Sequence, residues 1–224
     1  MNAELLPCVE LEPETGPAAA AVIWLHGLGA DGHDFVPIVP HLHLPASGAV
    51  RFVFPTAPAI PVTINGGMVM PAWYDITELD LQRRHDEAGI LRSCAHVEAL
   101  VAREVERGVP HERIVLAGFS QGGAIATQVA LRSDERLAGL LALSTYLVRA
   151  DEVAGEVTPE ARELAAFCGH GTLDPMVPLA RGRAAADALT GFGLDVTWKD
   201  YAMQHEVCME EIADIGEWLR ARLA

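Results

Sequence analysis

A serine between glycines, Gly118-Phe119-Ser120-Gln121-Gly122, follows the apolar run Arg113-Ile114-Val115-Leu116-Ala117 and leads into a helix-like stretch over 123–130. A serine on such a strand-to-helix turn is a candidate nucleophile for acyl transfer. The turn is sharp and strained, it lifts Oγ above the sheet edge, and it aims the Gln121 amide, at a helix N-terminus, towards developing negative charge. The glycines answer a steric need, because a Cβ at 118 or 122 would collide with the neighbouring strand or helix. The pattern G-x-S-x-G alone is weak; the strand before it and the helix after it make it specific.

A serine hydroxyl is a poor nucleophile until a base accepts its proton, and the base needs a third group to fix its tautomer. In α/β-hydrolases, where this elbow occurs, the partners follow in the order serine, acid, histidine. The histidines downstream of Ser120 are His170 and His205. His205 lies after the last strand-like run and just before the final helix, where the base is needed. His170 lies immediately after a strand and reads as structural, hydrogen-bonding the acid loop. For the acid, Asp174 sits in a turn after the fifth strand-like run, ahead of Pro175. Its rivals are Asp151, in a segment (151–163) that reads as a solvated excursion, Asp187, mid-helix, and Asp195 and Asp200, which flank a strand. A charged residue on a solvated face is the ordinary fate of such side chains. Asp174 has the post-strand position that brings it beside the His205 loop.

The oxyanion of a tetrahedral intermediate needs a second amide besides that of Gln121. His26-Gly27-Leu28-Gly29 follows the run 20–25, and its glycines let the backbone approach a carbonyl, with the Leu28 N–H as donor. His26 reads as a prop for this loop. Met68, Met70, Trp73 and Leu147 are the candidate substrate-binding residues, of types whose commoner fate is the core.

These residues require a scaffold, and the chain spells one. Runs at 20–25, 50–54, 113–117, 137–143, 164–168 and 195–198 read as strands, the early ones nearly unbroken in apolar character, as strands buried on both faces are. Ile90, Cys94, Val97, Val101 and Val105 recur at three- and four-residue steps in a helix that ends at Gly108 and Pro110. Helices are also expected over 177–189 and 206–223, the latter with Cys208, Ile212, Ile215 and Leu219 in a stripe. Strand–helix alternation implies an α/β fold with a mostly parallel central sheet and helices on both faces. The expectation is one α/β-hydrolase domain over 1–224. One loop excursion, 55–84, breaks the alternation; its apolar content points to a packed cover over the active site.

Composition excludes several partners. Sixteen basic against thirty-one acidic residues in 224 give a formal charge of −15, which repels phosphate backbones and anionic headgroups. Nucleic acid and stable membrane insertion are therefore not expected; no stretch reaches the length of a membrane span, and the N-terminus lacks the pattern of a signal peptide. Cys8, Cys94, Cys168 and Cys208 are scattered with no C-x-x-C pair, and the last three sit in apolar stretches, which reads as buried free thiols of a cytoplasmic protein rather than disulfides. No histidine pair has zinc-protease spacing, so a metal hydrolase is not expected. The expected partner is a small-molecule ester, and a homodimer is an admissible assembly.

With these pieces in place, the chain resembles the phospholipase/carboxylesterase family, which includes acyl-protein thioesterases, and is most similar to its small bacterial carboxylesterases. The resemblance rests on Val22-Ile23-Trp24-Leu25-His26-Gly27-Leu28-Gly29, Pro55-Thr56-Ala57-Pro58, Asn65-Gly66-Gly67-Met68 with Ala72-Trp73-Tyr74-Asp75, the elbow itself, Leu143-Ser144, Gly169-His170-Gly171 with Asp174, and His205-Glu206. It implies Ser120, Asp174 and His205 as triad, Leu28 and Gln121 as oxyanion donors, and a cofactor-free serine hydrolase. The expected activity is hydrolysis of short- to medium-chain carboxylic esters through an acyl-enzyme on Ser120. The enzymatic alternative is an acyl-protein thioesterase or lysophospholipase; the non-enzymatic one is a catalytically silent hydrolase fold serving as a ligand receptor.

Overall fold

The structure is a computed structural model and describes residues 5–45, 48–77 and 86–223. Among these, the main sheet has seven strands: β1 Cys8–Leu11, β2 Ala20–Leu25, β3 Val50–Pro55, β6 Ile114–Phe119, β7 Gly139–Leu143, β8 Ala165–Gly171 and β9 Asp195–Tyr201. Their order across the sheet is β1-β3-β2-β6-β7-β8-β9. β1 pairs antiparallel with β3, and every other pairing is parallel. β2 is buried at all six positions, as a central strand covered on both faces requires. β9 closes the edge, with Asp195, Thr197 and Lys199 alternating along it.

Helices cover both faces. α1 Glu87–Glu106, α2 Gln121–Arg132 and α4 Leu179–Phe192 pack on one side, where Ile90, Val97, Ile125 and Leu189 meet Ile23, Leu116 and Ala166. α5 Met209–Leu223 and the 3-10 turn Val36–Leu42 pack on the other, where Ile212, Ile215 and Leu42 meet Trp24, Val115 and Phe167. Two separate apolar layers result, as an α/β-hydrolase sheet demands.

The chain leaves β2 towards β3 on one side and returns to β6 on the other, so the strand order reverses between β2 and β6. In open parallel sheets a ligand crevice lies outside the carboxyl ends of the strands at such a point. The loops after β2 and β6 that border this crevice contain Leu28 and Ser120.

Several elements differ from the sequence expectation. β1 is absent from it because four residues with no alternation carry little signal. The excursion holds a two-stranded hairpin, β4 Ala59–Val62 with β5 Met68–Pro71. Prolines in both strands (Pro61, Pro71) are tolerated because a two-stranded ribbon is all edge. Trp73 and Tyr74 are buried, whereas the end of the excursion, 78–84, lies outside the described residues. The segment 151–163 is not simply solvated: it opens in the short helix α3 Ala150–Val153 and buries Val153, Val157 and Ala161. Cys94 and Cys168 are buried free thiols, pushed up to about 11 and about 12 by burial, but Cys8 and Cys208 are only half-buried.

Candidate active site

Ser120 follows β6 and caps α2 with φ 53° and ψ −119°, a positive-φ backbone that a non-glycine residue adopts only under constraint. The constraints are visible. Ser120 N–H donates to the Leu143 carbonyl at 2.9 Å, and the Ser120 carbonyl accepts from Thr145 Oγ1 at 2.6 Å and from Ala124 N–H at 3.1 Å. A Cβ at Gly118 would overlap the backbone of Gly122 and Gly123, and one at Gly122 would overlap the carbonyls of Leu25 and His26. The two glycines let helix, strand and oxyanion loop converge beneath one hydroxyl.

The structure brings the three triad candidates together. His205 Nε2 lies 2.9 Å from Ser120 Oγ, and His205 Nδ1 lies 2.6 Å from Asp174 Oδ2. Because the carboxylate accepts, Nδ1 carries the proton and Nε2 presents its lone pair to the serine hydroxyl. The other Asp174 oxygen accepts from the main-chain N–H groups of Met176 and Val177, both at 2.8 Å, which orients the carboxylate. The His205 ring packs against Phe119 at 4.8 Å between centroids.

His170 lies inside β8 rather than after it, with Nε2 3.7 Å from Asp174 Oδ2, whereas the rival acids lie elsewhere. His170 is buried and its Nε2 donates to the Val177 carbonyl at 2.9 Å, so it pins the acid loop from beneath. Asp187 pairs with Arg183 on the open face of α4, and Asp200 accepts from the Trp198 indole. Asp151 and Asp195 are exposed, in α3 and at the start of β9.

Across from Ser120, the loop that carries the oxyanion candidate Leu28 follows β2. His26 is buried; its Nδ1–H donates to the Gly27 carbonyl at 2.7 Å and its Nε2 accepts from Ala57 N–H at 3.0 Å, which requires the neutral ring. Burial lowers its pKa accordingly. Gly29 N–H donates to the Pro71 carbonyl at 2.9 Å. Among the described residues, the Leu28 and Gln121 N–H groups have no acceptor, while the amides of Ser120 and Gly29 beside them are both engaged.

The four substrate-binding candidates scatter. Met68 is exposed on the hairpin, while the Met70 sulfur lies against Gly29 of the oxyanion loop. Trp73 is buried, its indole N–H donating to the His26 carbonyl at 2.8 Å. Leu147 is partly buried and lines a small cavity with Tyr146, Thr145 and His170, behind the triad. Sequence reasoning missed the side-chain role of Gln121: Oε1 accepts from Trp73 N–H at 2.9 Å and Nε2 donates to the Tyr74 carbonyl at 2.7 Å. It also missed the hydroxyl pair Tyr74–Tyr146, 2.7 Å apart. Nothing in local spacing signals either contact, since the partners are 47, 48 and 72 residues apart.

The family model of phospholipase/carboxylesterase matches residues 6–223. The chain belongs to the phospholipase/carboxylesterase family. Within that family it is 40% identical over 223 residues to acyl-protein thioesterase 1 of Neurospora crassa, covering 95% of this chain and 91% of that protein. It is 38% identical to acyl-protein thioesterase 1 of Cryptococcus neoformans over 221 residues, 91% of this chain and 92% of that one. Among solved structures, SOBER1 of Arabidopsis thaliana superposes with a TM-score of 0.85 at 31% identity, covering 92% of this chain and 99% of its own. Acyl-protein thioesterase 2 of Zea mays does so with a TM-score of 0.84 at 28% identity, covering 98% and 100%. The fold is that of the α/β-hydrolases, and the chain is a hydrolase of this family.

Proposed function

We propose that this hydrolase cleaves acyl thioesters, of the kind that join an acyl chain to a protein cysteine, through an acyl-enzyme on Ser120. The observation that carries the acyl-enzyme is the continuous hydrogen-bonded line from Ser120 Oγ through His205 to Asp174, on a strained elbow. His205 Nε2 takes the hydroxyl proton as Ser120 Oγ adds to the acyl carbonyl. The Leu28 and Gln121 N–H groups receive the resulting oxyanion. The tetrahedral intermediate collapses, the carbon–sulfur bond breaks, and the sulfur leaves with the proton held by His205. Water then adds to the acyl-enzyme with His205 again as base, the bond from Ser120 Oγ to the acyl carbon breaks as Oγ takes that proton back, and the carboxylic acid departs.

Two observations favour a thioester with an apolar acyl chain. The relatives at 38–40% identity over nine-tenths of the chain are named acyl-protein thioesterases. Leu173 and Met176 flank the acid loop, and Met68 and Val69 top the hairpin beside the oxyanion loop; all four are exposed apolar side chains. Hydrolysis of short- to medium-chain oxygen esters is the second reading. It uses the same machinery, because acyl-enzyme formation does not depend on which heteroatom leaves. A chain-length series of acyl thioesters run beside the matching p-nitrophenyl esters separates the two. We expect kcat/KM to rise with chain length on the thioesters; a maximum at acetate or butyrate esters, with thioesters untouched, overturns the thioester reading.

A further inference from the structure

The two oxyanion donors sit on different segments, Leu28 after β2 and Gln121 at the start of α2. The ladder between β2 and β6 ends at Leu25 and Gly118 and does not reach either amide. Beyond it the segments are cross-linked by a strap from the excursion, residues 73–75. Trp73 gives its main-chain N–H to the Gln121 side chain and its indole N–H to the His26 carbonyl. The strap is fixed from behind, where Ser93 Oγ donates to the Trp73 carbonyl and Asp86, which caps α1, accepts from Asp75 N–H at 3.1 Å. Just before it, the Pro71 carbonyl accepts from Gly29 N–H.

We infer that Gln121 serves the reaction twice: beside its main-chain N–H, its buried side-chain amide is a positioning group that locks the strap to the nucleophile helix and thereby sets the spacing of the two oxyanion donors. The chemistry is demanding. One planar group must accept from an N–H and donate to a carbonyl within the same strap, and a primary amide at this reach does both. A neutral carboxylic acid does both as well, with O–H in place of N–H, whereas a carboxylate turns a second acceptor towards the Tyr74 carbonyl. Asparagine is one methylene short. The side chain is 1% exposed, so an unmatched polar atom there finds no water to replace its partner.

The inference rests on the acyl-enzyme reading and is tested separately from it by Gln121→Glu, which leaves the main-chain donor in place. The titratable groups facing this position are His26, kept neutral by burial, the Tyr74 and Tyr146 hydroxyls, both raised above the usual tyrosine value, Asp86 behind the strap, and His205 across the nucleophile. In the wild type, kcat should rise with pH to an alkaline plateau, because a general base works only when unprotonated. In Gln121→Glu it should rise likewise and then fall on the alkaline side as the new carboxyl ionises, by about 10- to 100-fold, less than the loss of a whole oxyanion donor. The fall should appear in kcat with KM little changed, because the donors act on the transition state. Gln121→Met fills the same space without either bond and should lose kcat by a similar factor at every pH, with no alkaline limb. A flat alkaline plateau in a folded Gln121→Glu enzyme, or full kcat in Gln121→Met, overturns the inference. A wild-type enzyme whose Ser120 escapes a fluorophosphonate probe overturns instead the reading on which it rests.

Discussion

Asp174 and Glu211 are both carboxyl groups with fully buried side chains, one beyond the end of β8 and the other against the strand itself. Asp174, in the loop beyond its end, accepts from three N–H groups: His205 Nδ1 and the amides of Met176 and Val177. Glu211, in the first turn of α5, presses one oxygen against the Gly169 backbone, and among the described residues neither oxygen has a hydrogen-bond partner. Burial, with Asp214 nearby, pushes its carboxyl up to about 8. The contrast separates a carboxyl met by three donors from one met by none. Burial alone marks neither role; the donors do.

The largest effect expected from breaking the contrast is on Asp174. Asp174→Asn keeps the shape but removes the charge that holds the His205 tautomer, and kcat should fall by about 10²- to 10⁴-fold. Steady-state kinetics on one thioester or ester checks this, and a loss smaller than tenfold would detach Asp174 from the reaction.

Glu211→Gln should do the reverse and leave kcat alone while changing stability. A folded-state pKa of about 8 against an unfolded value of 4.5 favours the fold fully below pH about 4.5. That contribution is lost by about 1.4 kcal/mol per pH unit as pH rises towards 8, and is constant above. The melting-temperature gain of Glu211→Gln over wild type should therefore grow between pH 5 and pH 8. An equal difference at both pH values would mean that the carboxyl is not stored neutral.

A smaller effect is expected at Met70, whose sulfur lies against the oxyanion loop. Met70→Ala should shift the preferred acyl length with little change on acetyl substrates, since each buried methylene is worth about 0.8 kcal/mol. A chain-length profile identical to wild type would leave Met70 as cover for the loop. The smallest effects belong to Asp187 and Asp195. Their replacement by Asn should stay within about a few-fold of wild-type kcat, because exposed carboxylates contribute little. A loss at either one comparable to that of Asp174→Asn would reassign the acid.

Asp174 and His205 could be singled out in the sequence because each lies a few residues beyond a strand, β8 ending at Gly171 and β9 at Tyr201, and strand ends are where apolar runs stop. The elbow glycines were readable for a steric reason that the backbone overlaps at Gly118 and Gly122 bear out. The sheet followed from apolar runs that needed no long-range information. The strap was not readable: Gln121 bonds to a backbone 47 and 48 residues away, and no periodicity encodes such a pairing. Trp73 accordingly reads as a pocket residue in sequence, although the folded chain uses it as a buried cross-link. Glu211 left a signal that went unused. It stands three residues after Cys208 and four before Ile215, on the apolar stripe of α5, where an acid is out of place.

The central claim is a covalent acyl-enzyme on Ser120, and trapping it is the most direct measurement. Rapid quenching of the enzyme with an acyl thioester, followed by peptide mass spectrometry, should find the acyl mass on the peptide carrying Ser120. Ser120→Ala should carry no acyl mass and lose kcat by about 10⁴-fold or more. An acyl group on another residue, or full turnover by Ser120→Ala, would contradict the claim.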